Sequence, residues 1–336
     1  MSAAASAPVR PRAAVIGPVM LRLAALLAAL VLVFALLLGE RLFNATAIRS
    51  MAFQLPELGI LSLAMMIPLL SGGLDLSIIA TANLSALAIA YMFTHVGIGA
   101  EGLPALGYHA LGLLAGIAVA GAVGALNGVV IAYLGVSPIL ATLGSMTMVK
   151  GIAIGLTHGN VISGFPDSIV FLGNGSLFSV PMALIVFVLV AIPVAVLLTR
   201  TPLGVIIAMV GSNQEAVRFS GIDTRRTILS VYLMSAALSA VAGLVMMARF
   251  NSANASYGES YLLVTILAAV LGGIDPAGGF GKVSGLVTSL VILQLISTAA
   301  NLLGMSEFLS LALWGAILLA VAGVSRFRDW VLALVR

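Results

Sequence analysis

A chain of 336 residues that is 62% hydrophobic and 8% charged cannot clothe a water-facing surface, because soluble domains are about one-quarter charged. Its surface must mostly face lipid. With no cysteine it has neither a disulfide framework nor a thiolate metal site. The net charge of +4 comes from basic residues flanking apolar runs, so it reports membrane topology rather than nucleic-acid binding.

Crossing the hydrocarbon core takes roughly 20 apolar residues in a helix. In chain order, the apolar windows are 19–39, 58–70, 76–94, 111–134, 138–156, 180–198, 228–248, 262–271, 286–303 and 308–324. Those at 58–70, 138–156 and 262–271 are weaker. The fold expected is an all-α membrane protein of about ten segments, some short or broken. The runs are continuous and rich in Leu and Ala, unlike the alternating segments of a barrel. The first run follows Arg10, Arg12 and Arg22 but ends at Gly39-Glu40-Arg41, a poor cleavage site, so it is expected to remain as a helix.

Basic clusters mark the cytoplasmic side. They stand before the first helix, around Arg200, Arg218, Arg225 and Arg226, and at Arg326, Arg328 and Arg336. Six crossings separate the first pair and four the second, which places both termini in the cytoplasm and Arg41 and Arg49 outside. Four segments in each half, with opposite starting sides, fit an inverted-topology repeat. The expected organisation is a tail at 1–18, one transmembrane domain at 19–325 with a cytoplasmic loop at 199–227, and a basic tail at 326–336. External loops are expected at 41–55, 96–109, 158–179 and 251–260.

Gly72-Gly73-Leu74-Asp75 has an echo at Gly272-Gly273-Ile274-Asp275, both at cytoplasmic ends. Paired glycines end helices at little cost, and Asp75 suits a cap on the next helix. The alternative is a hinge at the inner mouth of a pathway, favoured by the glycine count of "GGIDPAGGFGKVSG". Ser77, Thr81 and Ser85 share one helix face and suit helix packing. Gln294, Thr298 and Asn301 share another face, and with Asn83 they are candidate pathway lining. Glu57, Asp75, Glu259, Asp275 and Glu307 are all placed near helix ends. A carrier driven by ions usually needs an intramembrane ionisable group, and no GxxxxGK[ST] loop is present to hold nucleotide. Transport by this chain would draw energy from a partner. His95, His109 and His158 are scattered, with no metal-ligand spacing and no clustered acid and base.

The central loop carries Gly211-Ser212-Asn213-Gln214-Glu215-Ala216-Val217-Arg218-Phe219-Ser220-Gly221. Ser212 or Asn213 can cap a helix there, Glu215 complements its dipole and Gly221 stops it. Such a short helix either rests on headgroups or docks into a soluble partner.

Four ordered stretches carry a resemblance: "SGGLDLS", "GALNGVVIAYLGVSPILATLGSMTMVKGIAIGLT", "TPLGVIIAMVGSNQEAVRFSGI" and "AAVLGGIDPAGGFGKVSG". From about residue 58 to 324 the chain resembles the permease subunits of bacterial sugar-type ABC importers, the family that includes the ribose permease. The resemblance implies a multi-pass protein of the bacterial inner membrane and a pathway built with a second permease subunit, identical or different. It implies a cytoplasmic ABC ATPase docked at the coupling loop through Gly211, Asn213, Glu215, Ala216, Arg218 and Gly221. An external solute-binding protein would deliver a monosaccharide, polyol or related hydroxylated solute. ATP would be used by the partner, with no cofactor or metal and no catalysis on this chain. The sequence departs from the family pattern at Val205, where a basic residue is common, at Ala216-Val217, and at Tyr261-Leu262-Leu263-Val264, which lacks two acids. A branched-chain amino-acid permease and a self-sufficient carrier or channel are the alternatives.

Overall fold

The computed structural model describes residues 17–96 and 103–334. The N-terminal tail with Arg10 and Arg12, the tip of the expected external loop at 97–102, and Arg336 lie outside the described residues. The first helix, α1 (Pro18–Leu38), opens on a proline, which loses no hydrogen bond at a helix start. It closes at Gly39 with a positive φ of 50°. A 3₁₀ turn leads to α2 (Ala45–Leu70), whose cap Asn44 accepts from the Ala47 N–H at 2.7 Å.

The 26-residue α2 revises the expected boundaries. The weak window 58–70 is only its C-terminal half, and most of the expected external loop 41–55 is helix. Arg49, Gln54 and Glu57 depress the hydropathy of the first half; α2 is exposed at its start and interior from Pro56 on, where Glu57 meets protein. Its most apolar window is 83% buried, against 11% for α1. Glu57, expected near an end, sits in the middle of α2 and is buried.

After the glycine turn come α3 (Ile78–Tyr91), one π-helical turn at Met92–Val96, α4 (Leu103–Ala132) and α5 (Pro138–Thr157). A short α6 (Asp167–Asn174) and the two-residue strands β1 (Ile162–Ser163), β2 (Ser176–Leu177) and β3 (Val180–Pro181) follow. Then come α7 (Met182–Arg200), α8 (Pro202–Ser212), α9 (Gln214–Phe219) and α10 (Thr224–Phe250). The chain closes with β4 (Ser252–Ala253), α11 (Tyr261–Leu271), α12 (Val283–Leu302) and α13 (Glu307–Leu334). The last helix runs past the expected domain end at 325. Among the described residues, eight helices are long and apolar enough to cross a membrane. The short α11 and the apolar part of α13 account for the remaining two expected segments.

The long α10 is the central post, packed against α2, α3 and α4. Small residues allow the closest approaches. A Cβ on Gly124 of α4 would lie 2.6 Å from the Ala236 side chain, and one on Gly243 would strike the Ala82 carbonyl. One apolar core joins α2, α7, α10, α11 and α12 through Leu63, Met66, Phe187, Val245, Leu267 and Leu290. Apolar side chains on the far faces, such as Leu36, Leu114 and Leu189, are exposed and suit lipid.

The chain between α10 and α11 was expected to be an external loop. It starts as a turn: Asn251 adopts a left-handed conformation and β4 pairs antiparallel with β1. It then dips inward. Asn83 donates to the carbonyls of Ala255 and Tyr257 at 3.1 and 2.9 Å. Asn83 lies about 8 Å along α3 from Ile78, given a rise of about 1.5 Å per residue. The 11 residues of α11 span only about 16 Å, so α11 is a half-span entered from within the protein. Irregular backbone at such depth requires burial or a cavity wall, and Asn83 supplies the buried donor.

Candidate functional site

Two features stand out, a glycine junction at one end of the bundle and a polar cavity deeper inside. The junction joins three segments distant in sequence. Ser71, Gly72 and Gly73 turn the chain out of α2, with Gly72 at φ 79° and the Gly73 N–H donating to the Pro68 carbonyl at 2.9 Å. Gly279, from the second glycine-rich segment, donates its N–H to the Leu70 carbonyl at 2.9 Å. Gly211, in the last turn of α8, lies between them. A Cβ there would overlap the Leu70 carbonyl oxygen and approach Gly279 N to 2.6 Å. A Cβ on Gly278 would come within 2.6 Å of Gly72 N. Glycine is required because three backbones touch. The second glycine pair serves neighbouring helices instead: a Cβ on Gly272 would meet Leu286 at 2.8 Å, and Gly273, at φ 82°, packs on Val19 of α1.

The two motif aspartates differ despite their shared sequence. Asp75 is buried and accepts from the Ser77 N–H at 3.0 Å and the Ser77 hydroxyl at 2.6 Å. It also accepts from the Ser235 hydroxyl of α10 at 2.8 Å, while Asn127 of α4 donates to Ser77 Oγ at 2.8 Å. Leu74 O accepts from Tyr232 and Thr142, both at 3.3 Å. Burial pushes the Asp75 carboxyl above its ordinary range, and the hydrogen bonds from Ser77 and Ser235 pull it back. Asp75 is thus a tie between α3, α4 and α10. Asp275 is exposed and accepts from the Ala277 N–H at 2.9 Å within its own turn.

From the junction the chain enters α9, a short helix where the sequence led one to be expected. Asn213 caps it, accepting from the Ala216 N–H at 3.0 Å. Glu215 stands in the first turn, Arg218 in the last, and Gly221 turns the chain away at φ 82°. Val217 is the buried side chain that fastens α9 to the bundle, while Asn213, Glu215, Ala216, Arg218 and Phe219 are exposed. An open groove of about 470 Å³ runs beside α8 and α9, walled by Val205, Met209, Asn213, Ala216 and Gly279. The unexpected α8 has Thr201 as its cap, accepting from the Gly204 N–H at 3.3 Å. Gly204 is packed against the Leu197 carbonyl, so α7 and α8 meet in backbone contact.

The cavity lies among α2, α10, α11, α12 and α13, with a volume of about 100 Å³. Glu57 Oε1 is 2.6 Å from Arg249 Nη1 and accepts from the Tyr261 hydroxyl at 2.7 Å. Gln294 donates to Gln54 Oε1 at 3.1 Å and to Thr298 Oγ1 at 3.3 Å. Trp314 and Ser297 complete the polar and aromatic part of the wall. Of the four sequence-derived lining candidates, Gln294 reaches this cavity and Thr298 holds its amide. Asn83 spends both donors on the re-entrant segment, and Asn301 is exposed in the last turn of α12. Sequence reasoning missed Gln54, Glu57 and Arg249. The spacing of Gln54 and Glu57 on one helix face was the available signal, hidden by the loop assignment.

A helical, multi-pass bundle with a broken span, a polar cavity and an exposed short helix at one end fits a membrane transport subunit. Residues 47–322 match the family described as the branched-chain amino acid transport system / permease component, and the chain belongs to that family. It is 32% identical over 270 residues to the ribose import permease protein of Bacillus subtilis, covering 80% of this chain and 81% of that one. It is 30% identical over 321 residues to the autoinducer 2 import system permease protein of Photorhabdus luminescens, with 91% and 93% covered. Against the corresponding protein of Salmonella typhi it is 30% identical over 305 residues, with 89% of each chain covered. No solved structure matches it. The protein is a multi-pass permease subunit of the ABC importer type, resident in the inner membrane.

Proposed function

We propose that this subunit forms the pathway for a monosaccharide, polyol or related hydroxylated solute, and that it catalyses no reaction itself. A separate cytoplasmic ATPase binds at α9 and hydrolyses ATP. A second permease subunit completes the pathway, and an external solute-binding protein delivers the ligand. The relatives named for ribose and autoinducer 2 import support the solute class. The observation that carries the reading is the glycine junction. It sets Gly211, three residues before the start of α9, in backbone contact with the turn that ends α2 and the segment that follows α11. A partner moving α9 would thereby move both helices.

Purification of the chain from its own host should recover an ATPase subunit, and reconstituted uptake should require ATP. Uptake by the isolated chain with neither would overturn the reading. The family description names branched-chain amino acids, so the accompanying solute-binding protein decides the class. Binding of leucine or valine, with no sugar or polyol bound, would reassign the solute.

A further inference from the structure

We propose that the cavity around Glu57 is the point where the moving solute is held, and that it selects neutral, polyhydroxylated molecules. This rests on the importer reading above. Glu57 Oε1 is committed to Arg249 and Tyr261, but Oε2 is buried and has no hydrogen-bond partner among the described residues. A buried carboxylate oxygen left without a donor is costly, and Glu57 is one of the residues that line the cavity. A solute hydroxyl is a fitting donor.

The neighbouring groups complete a hydroxyl-reading set. Gln294 Oε1 and Gln54 Nε2 make no hydrogen bond within the described residues, so an acceptor and a donor remain beside the carboxylate. Ser297 adds a hydroxyl, and Trp314 gives an apolar wall against which a sugar's C–H face can rest. Arg249 balances the Glu57 charge, so the site as a whole is neutral. An amino-acid zwitterion would find both of its natural partners already paired with each other.

The location is also suitable. Glu57 lies 13 residues before Leu70, about 20 Å along α2 from the glycine junction. Tyr261 is the first residue of the half-span α11, so the site stands where the membrane helix is discontinuous. At about 100 Å³ the cavity accommodates about three waters at ~30 Å³ each. Passage of a sugar requires its walls to part. Two of those walls, α2 and α11, end at the segments gathered around Gly211.

The natural absence of cysteine makes a direct test available. Gln54→Cys, Ser297→Cys and the lipid-facing control Leu114→Cys are made singly in the full importer, with its ATPase and solute-binding protein. A charged methanethiosulfonate reagent is then applied without nucleotide and after vanadate trapping. Thiolates form only where water reaches, so the two cavity positions should react at least about tenfold faster than Leu114→Cys in one of the two states. They should also be slowed by D-ribose or another neutral pentose or hexose. Reaction no faster than at Leu114→Cys in both states overturns the proposal. Slowing by leucine alone, or by no member of the panel, also overturns it. Ala216→Cys on α9 reports the underlying reading separately. If the ATPase shields it while both cavity positions stay silent, the cavity assignment falls and the importer reading stands. If the ATPase does not shield it, both fall.

Discussion

Asp75 takes hydrogen bonds from Ser77, two residues on, and from Ser235, 160 residues away. Removing the carboxylate with Asp75→Ala strands buried hydroxyls on α3 and α10, at about 1–3 kcal/mol for each unsatisfied group. The variant should unfold at lower temperature in detergent, while Asp75→Asn should lose less because one acceptor oxygen remains. Gly211 offers a steric counterpart. Gly211→Ala places a Cβ on the Leu70 carbonyl and should lower both stability and ATP-driven uptake, whereas Gly144→Ala, with open space around it, should leave both unchanged. For the Glu57–Arg249 pair, breaking one side of a buried ion pair costs about 3–5 kcal/mol. Glu57→Leu should therefore destabilise more than the double change Glu57→Leu with Arg249→Met, which thermal unfolding of the two variants would show. The Asp75 turn was legible in the sequence because Gly-Gly followed by an acid is a local signal. Its partner Ser235 was not, because nothing local links residues 160 apart.

At the scale of elements, α9 was read from cap, charge and stop signals that all lie within the segment 211–221. Its Glu215 and Arg218 are exposed, so Glu215→Ala with Arg218→Ala should reduce recovery of the ATPase while leaving membrane insertion intact. Co-purification from membranes measures this, and normal recovery would remove α9 from the docking surface. The α2 helix shows the opposite case. Hydropathy reported only its second half, because Arg49, Gln54 and Glu57 dilute the first. A hydropathy window counts side chains as if all faced lipid. In an interior stretch they face protein, and Glu57 Oε1 is met by Arg249 and Tyr261 rather than by water. The half-span α11 and its re-entrant approach were hidden similarly. Asn83 supplies their donors from another helix, through a side chain that the sequence offered only as pathway lining.

For the molecule as a whole, the orientation inferred from arginine placement can be checked at two exposed phenylalanines at opposite ends. Phe219, at the end of α9, is 90% exposed, and Phe178, between β2 and β3, is 92% exposed. Phe219→Cys should react with an impermeant thiol reagent only from the cytoplasmic side and Phe178→Cys only from the other. The reverse pattern would invert the topology. Composition, apolar run length and local cap and stop signals by themselves determined a helical membrane protein, about ten segments and a short helix on the central loop. Lipid selects for these properties one segment at a time, so they can be read one segment at a time. Which glycines touch, which carboxylate is paired and which polar groups share a cavity were decided only by the tertiary structure. Those contacts join α2, α8, α10, α11 and α12 across up to about 240 residues of sequence, and each depends on helices packing closely enough to exclude both lipid and water.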